Sequence, residues 1–139
     1  MATFTSDVVA GNQTFKPFPG GTVGVRYSKF TTTAASAAAD VYQMVDVFAG
    51  ETVYDIKVNF ATDLDTGGSP ALVYGVGDGS DTDRYIAASA AAQTGVADEM
   101  DANTAPVAYT ADDTIDIICE VAPATGVAVG TLEIWVFVA

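Results

Sequence analysis

Three aspartates lie close together in Gly75-Val76-Gly77-Asp78-Gly79-Ser80-Asp81-Thr82-Asp83-Arg84. Asp78, Asp81 and Asp83 offer the hard carboxylate oxygens that calcium takes. Their spacing does not follow the EF-hand loop, which wants oxygen ligands at alternate positions and a glutamate at the twelfth. The favoured reading is a surface turn whose aspartates accept hydrogen bonds from backbone amides, with calcium as the lesser alternative. The alternation Gly75-x-Gly77-x-Gly79 after an apolar run superficially fits a phosphate cradle. No lysine is nearby, and the three aspartates would repel phosphate. Asp98, Glu99 and Asp101, and the pair Asp112-Asp113, are the remaining carboxylates that could work together, as in glycoside hydrolysis. In a chain with 18 acidic residues such clusters arise by chance, so a solvated loop is the better reading.

Nucleophilic catalysis finds no partners. The chain has no histidine, which removes imidazole-based triads and mixed His/Cys zinc sites. Its single cysteine, Cys119, shares a strand face with Ile115 and Ile117 and reads as a small buried hydrophobe. One cysteine cannot form a disulfide within the chain. The sequence therefore predicts no catalytic residue, no cofactor and no enzyme.

The aromatic residues suggest contact with a partner. Most fall at strand positions suited to a core. Phe15 and Phe18 instead lie in Thr14-Phe15-Lys16-Pro17-Phe18-Pro19, with Phe30 further along. An apolar, proline-rich arm must pack on its own domain or on another chain. Residues 1–19 are therefore expected to be a docking arm, followed by one domain over residues 20–139. Trp135 and Phe137 are the other candidates for partner binding.

The elements that would position these residues alternate with period two, the signature of half-buried strands. Tyr54, Ile56, Val58 and Phe60 alternate with Asp55, Lys57 and Asn59. Val23, Val25 and Tyr27 alternate with Gly24, Arg26 and Ser28. Ile115, Ile117, Cys119 and Val121 form a third face. Leu132, Ile134, Val136 and Val138 form a fourth, with Trp135 and Phe137 making that strand apolar on its second side as well. Such a strand sits centrally or meets a neighbour. Further strands are expected over 41–48, 71–76, 84–88 and 106–110, separated by Gly- and Pro-rich turns. Ala34–Ala39 reads as extended or turn. Ala87–Gly95 has room for one helical turn stopped by Gly95. The fold class is all-β: an antiparallel, jelly-roll-like β-sandwich of about eight strands with an irregular N-terminal arm.

Five Lys and Arg against 18 Asp and Glu give a formal net charge of −13. That charge argues against nucleic acid and against anionic membranes as partners. No run approaches the ~20 apolar residues of a membrane-spanning helix. The first ten residues lack a basic stretch followed by an apolar run, so a soluble chain made in a cytoplasm is expected.

The order of segments resembles a group of small tailed-bacteriophage virion structural proteins of the capsid decoration (cement, head-stabilising) type. The resemblance is carried by Ala39-Asp40-Val41-Tyr42-Gln43-Met44-Val45-Asp46-Val47, by Ala49-Gly50-Glu51-Thr52-Val53, by the Gly75–Ala87 hairpin and by Tyr109-Thr110-Ala111-Asp112-Asp113-Thr114-Ile115-Asp116-Ile117. It covers about residues 39–121. It implies a structural protein on the outer surface of an assembled capsid, made in the host cytoplasm. The implied partners are the major capsid protein and further copies of itself, with a homotrimer as one arrangement. Residues 1–38 carry none of the pattern. The alternatives are another virion part, such as a head fibre base or tail adaptor, and a carbohydrate- or calcium-binding β-sandwich module.

Overall fold

The structure, a computed structural model, describes residues 1–6 and 22–139. Its strands in chain order are β1 (Thr3–Thr5), β2 (Gly24–Thr31), β3 (Val41–Val47), β4 (Thr52–Phe60), β5 (Val73–Asp78), β6 (Ile86–Ser89), β7 (Ala97–Glu99), β8 (Val107–Ala108), β9 (Asp113–Val121) and β10 (Thr131–Val138). One sheet has the order β1-β3-β9-β5-β6. The other has the order β2-β10-β4-β7, and β8 adds to β4. Apart from β1 and the two-residue β8, eight strands pair antiparallel and pass between the sheets in jelly-roll order. The sandwich expected from the alternating pattern is the one that forms.

The inner faces close over a shared core. Ile56, Val58 and Phe60 of β4 and Leu132, Ile134 and Val136 of β10 meet Met44, Tyr74, Val76, Ile115 and Ile117 from the opposite sheet. Phe60 stacks on Tyr74 at 5.3 Å between ring centroids. Cys119 belongs to this core, as its strand face implied.

β10 lies between β2 and β4, which explains half of its two-faced character. Its second face, with Trp135 and Phe137, looks outward.

β2 reverses the face that hydropathy suggests. Arg26 and Ser28 point inward and are buried, whereas Val23, Val25 and Tyr27 are 58%, 48% and 41% exposed. The cause is a buried ion pair. The Arg26 guanidinium binds the Glu51 carboxylate with two hydrogen bonds of 2.7 and 2.6 Å, and it donates to the Asp46 carbonyl at 2.9 Å. Its Cζ lies 5.1 Å from the centroid of the Phe48 ring. Phe30, two registers further on the same inner face, packs on Phe4 and Tyr42.

Part of the expected arm belongs to the sandwich. Thr3–Thr5 adds in parallel to β3, and Phe4 stacks on Tyr42 at 4.9 Å. The arm boundary at residue 19, with Phe15 and Phe18, falls outside the described residues. Strand β7 occupies the acidic segment read as a solvated loop, and three pairings to β4 hold it. The alanine-rich segment before it makes one 3-10 turn, Ala91–Gln93, and Gly95 ends it at φ +64°. A Cβ at Gly95 would meet the backbone of Thr62 and Asp63 at 2.8 Å.

Candidate functional site

The glycine-aspartate hairpin between β5 and β6 is built around one carboxylate. Asp78 ends β5 and is 3% exposed. It accepts hydrogen bonds from the backbone amides of Ser80 and Asp81, the Ser80 hydroxyl, the Arg84 guanidinium at 2.6 Å and the Tyr109 hydroxyl at 2.8 Å. Burial works against its charge, but the Tyr109, Ser80 and Arg84 bonds outweigh burial and hold the carboxyl below its usual range. Tyr109 also bonds Tyr85 at 2.6 Å, so the hairpin is tied to the core. Of the three aspartates, Asp78 accepts from backbone amides in the way the turn reading expects. The calcium alternative has little to recruit: Asp81 and Asp83 lie nearer solvent, and Asp78 is already saturated. Among the described residues no three acids come together to hold a metal ion.

The alternating glycines serve the hairpin differently from a phosphate cradle. The returning segment Asp81–Asp83 lies directly on β5. A Cβ on Gly77 would fall 2.0 Å from the Asp81 carbonyl oxygen and 2.5 Å from the Thr82 carbonyl carbon. One on Gly75 would meet the Glu120 carboxylate at 2.5 Å. Gly77→Ala is therefore expected to lower stability by about 1–3 kcal/mol, because backbone must move to admit the methyl group. A urea melt would read the loss, and an unchanged midpoint would refute the packing.

Beneath this segment lies Asp116 of β9, opposite Gly77 in register and 5% exposed. Its Oδ1 has no hydrogen-bond partner. Burial pushes its carboxyl up to about 7; a bond from Thr114 lowers it, and the charges of Asp113 and Asp78 raise it. Strand alternation puts Asp116 on the face opposite Ile115 and Ile117, where an exposed acid is expected. It lies between Gln43 and Gly77 in register, and the folded-back hairpin crosses Gly77.

The other candidate carboxylates do not converge as a glycosidase pair. Asp98 accepts from Ser89, and Asp101 accepts from the Ala87 amide. Glu99 faces Lys57 at 3.6 Å. Asp112 accepts from the Ala49 amide. Each ties neighbouring strands or loops together. The Cys119 thiol is buried, and desolvation raises it to about 12, with Asp40 and Glu120 adding to the rise, so it is not a nucleophile near neutral pH.

Asp65 is a structural acid that the sequence did not mark. It is 1% exposed and accepts from the amides of Gly67, Ala71, Leu72, Ala124 and Thr125, joining two loops. Burial opposes its charge, but the amides of Thr125, Ala71, Ala124 and Leu72 hold its carboxyl far below the usual range.

The partner-binding candidates divide between two faces. Trp135 and Phe137 stand side by side on the outer face of the β2-β10-β4-β7 sheet, whereas Phe30 is on its inner face. Register lays the outer face out in rows. Val25, Phe137 and Asp55 form one row; Tyr27, Trp135, Lys57 and Glu99 the next; Lys29, Glu133, Asn59 and Ala97 the third. Tyr27 lies 5.1 Å from Trp135 between ring centroids. Both Glu133 oxygens are engaged, one by the Tyr27 hydroxyl and one by the Asn59 amide, at 2.7 Å each. These bonds hold the aromatic row in place. A groove of about 670 Å3 runs between Trp135 and Phe137 on one side and β7 on the other. Sequence reading missed Val25 and Tyr27 as members of this face, because it assigned them to the interior.

No protein-family model matches the sequence, nor does any curated protein. Solved structures do match. A chain of the capsid of Ralstonia phage GP4 superposes with a TM-score of 0.85 at 24% identity, covering 99% of this chain and 97% of that one. A chain of the cyanophage Pam1 capsid asymmetric unit gives 0.75 at 24% identity, covering 91% and 94%. A chain of the acidic stable capsid structure of Helicobacter pylori bacteriophage KHP30 gives 0.59 at 12% identity, covering 83% and 86%. At identities this low, what the superpositions show is a fold shared with chains of these three phage capsids.

Proposed function

We propose that this chain is a phage virion structural protein that binds the outer surface of an assembled capsid and stabilises it, as a decoration or cement protein does. The observation that carries this reading is the near end-to-end superposition on a chain of a phage capsid. The carboxylates that could have supported catalysis are engaged in holding turns and strands, which favours a structural role. A charge of −13 suits a protein kept away from packaged DNA and soluble before it docks.

The physics of the role is linkage. A chain that binds the assembled lattice in preference to the free subunit stabilises the lattice by mass action. Repetition over a symmetric shell adds avidity to weak single contacts. In this reading the major capsid protein is the partner, and Phe15 and Phe18 of the N-terminal arm are its anchors.

The test is to add purified chain to capsids assembled without it. The chain is expected to co-sediment with capsids, to leave unassembled capsid subunits alone, and to raise the temperature at which the capsids open. A chain that stays in the supernatant would overturn the proposal.

A further inference from the structure

The geometry points to the outer face of the β2-β10-β4-β7 sheet as the surface on which a second copy of this chain packs. This goes beyond the capsid reading and does not depend on it.

Three observations support the inference. First, the face is apolar where a solvated sheet should be polar. Val25 and Tyr27 are 48% and 41% exposed, and the partly exposed Trp135 and Phe137 lie beside them in register. A contiguous apolar patch of this kind on a small soluble domain marks an interaction site. Tyrosine and tryptophan are also the residues that most often dominate binding energy in such sites.

Second, the charges of this face differ from those of the chain as a whole. Among the described residues, Arg26 is buried against Glu51 and Arg84 is tied to Asp78. The other two cations, Lys29 and Lys57, are both exposed and both on this face. They stand against Asp55, Glu99 and Glu133, so the patch is nearly neutral on a molecule of charge −13. Two such molecules repel each other over most of their surfaces. This face is where the repulsion is weakest.

Third, the charges of this face are balanced within one chain. Lys29 lies across from Glu133, and Lys57 across from Glu99, around an apolar centre. Two copies brought face to face can therefore join their aromatic rows without setting unbalanced charges against each other. That is the pattern of a contact made by the same patch on both partners. Glu133, fixed by Tyr27 and Asn59, already holds the aromatic row in one geometry, so little ordering is required on association.

A basic partner and a second copy predict opposite responses to salt. Screening removes the attraction between this acidic chain and a cationic surface, whereas it removes the repulsion between two copies. Sedimentation velocity of the full chain decides, run from micromolar concentration upward at low and at high salt, with Trp135→Glu and Val25→Lys measured beside it. The wild-type chain is expected to sediment at a multiple of 14.2 kDa and to associate more tightly at high salt. Both variants are expected to sediment as folded monomers, with β-sheet circular dichroism like that of the wild type and a cooperative thermal melt, because both positions face away from the core. A wild-type chain that stays monomeric throughout, or variants that associate as it does, would overturn the inference. Either result leaves the capsid co-sedimentation test untouched, so the two proposals fail separately.

Discussion

Glu51→Ala is expected to destabilise the fold by about 3–5 kcal/mol, the cost of leaving a buried charge without its partner. Arg26 is 0% exposed, and Glu51 neutralises it with two short hydrogen bonds between the sheets. Glu51 also accepts from the Phe48 amide, so alanine frees that donor as well. Small domains have only ~5–15 kcal/mol of net stability, so this single change takes a large share of it. Urea denaturation would show the midpoint falling with little change in slope. Replacing Arg26 and Glu51 together by apolar residues of similar volume should cost much less, because no orphaned charge remains. Equal losses in the single and double variants would show that the pair is not the source of the cost.

Asp116→Asn is expected to stabilise the chain by about 2–4 kcal/mol near pH 8, and to change little near pH 4. The sign follows from the direction of the shift. In the unfolded chain an aspartate ionises near its model value of 3.8, whereas in the fold burial pushes Asp116 up to about 7. Between these values the folded state holds a proton that the unfolded state has lost, so stability falls as pH rises through the window. Above about 7 the full cost of a charged, buried carboxylate with one unpaired oxygen is present. Asparagine keeps the shape and removes the ionisation. Asp65 and Asp78 act in the opposite sense. Their carboxyls are depressed in the fold, so their contribution is present above the unfolded carboxylate range and lost as pH falls below it. Together the shifts place maximum stability in mildly acidic solution. Thermal melts of both proteins across pH would test this, and parallel curves from acid to alkali would contradict the burial of an ionisable Asp116.

The architecture was legible because period-two alternation is a local signal, and the long strands carry it plainly. Ile56-Lys57-Val58-Asn59-Phe60 and Leu132–Val138 could be placed from residue order alone, and the turns between strands bear their glycines. Two short strands were not legible. Thr3–Thr5 and Ala97–Glu99 are three residues each, too few for a period to show, and they exist because β3 and β4 offer edges to pair with.

The orientation of β2 was misleading for a physical reason. Hydropathy gives the apolar face to the core, but Arg26 is drawn inward by Glu51, which lies 25 residues away. A long-range ion pair outweighs the local preference, and the apolar residues are left outside. That reversal makes the outer face apolar, and it doubles the candidate patch from Trp135 and Phe137 to include Val25 and Tyr27. Asp116 was hidden for a related reason. It stands in register with Gly77, across which the Asp81–Asp83 segment lies, a contact between elements that no single strand reveals.

The most direct measurement of the proposed role is a density map of intact phage particles assembled with this chain present. The account predicts copies of this jelly roll on the outside of the head, in contact with the shell lattice. A particle whose shell density accommodates no copy of the fold, or one that carries it only on the tail, would contradict the proposed role.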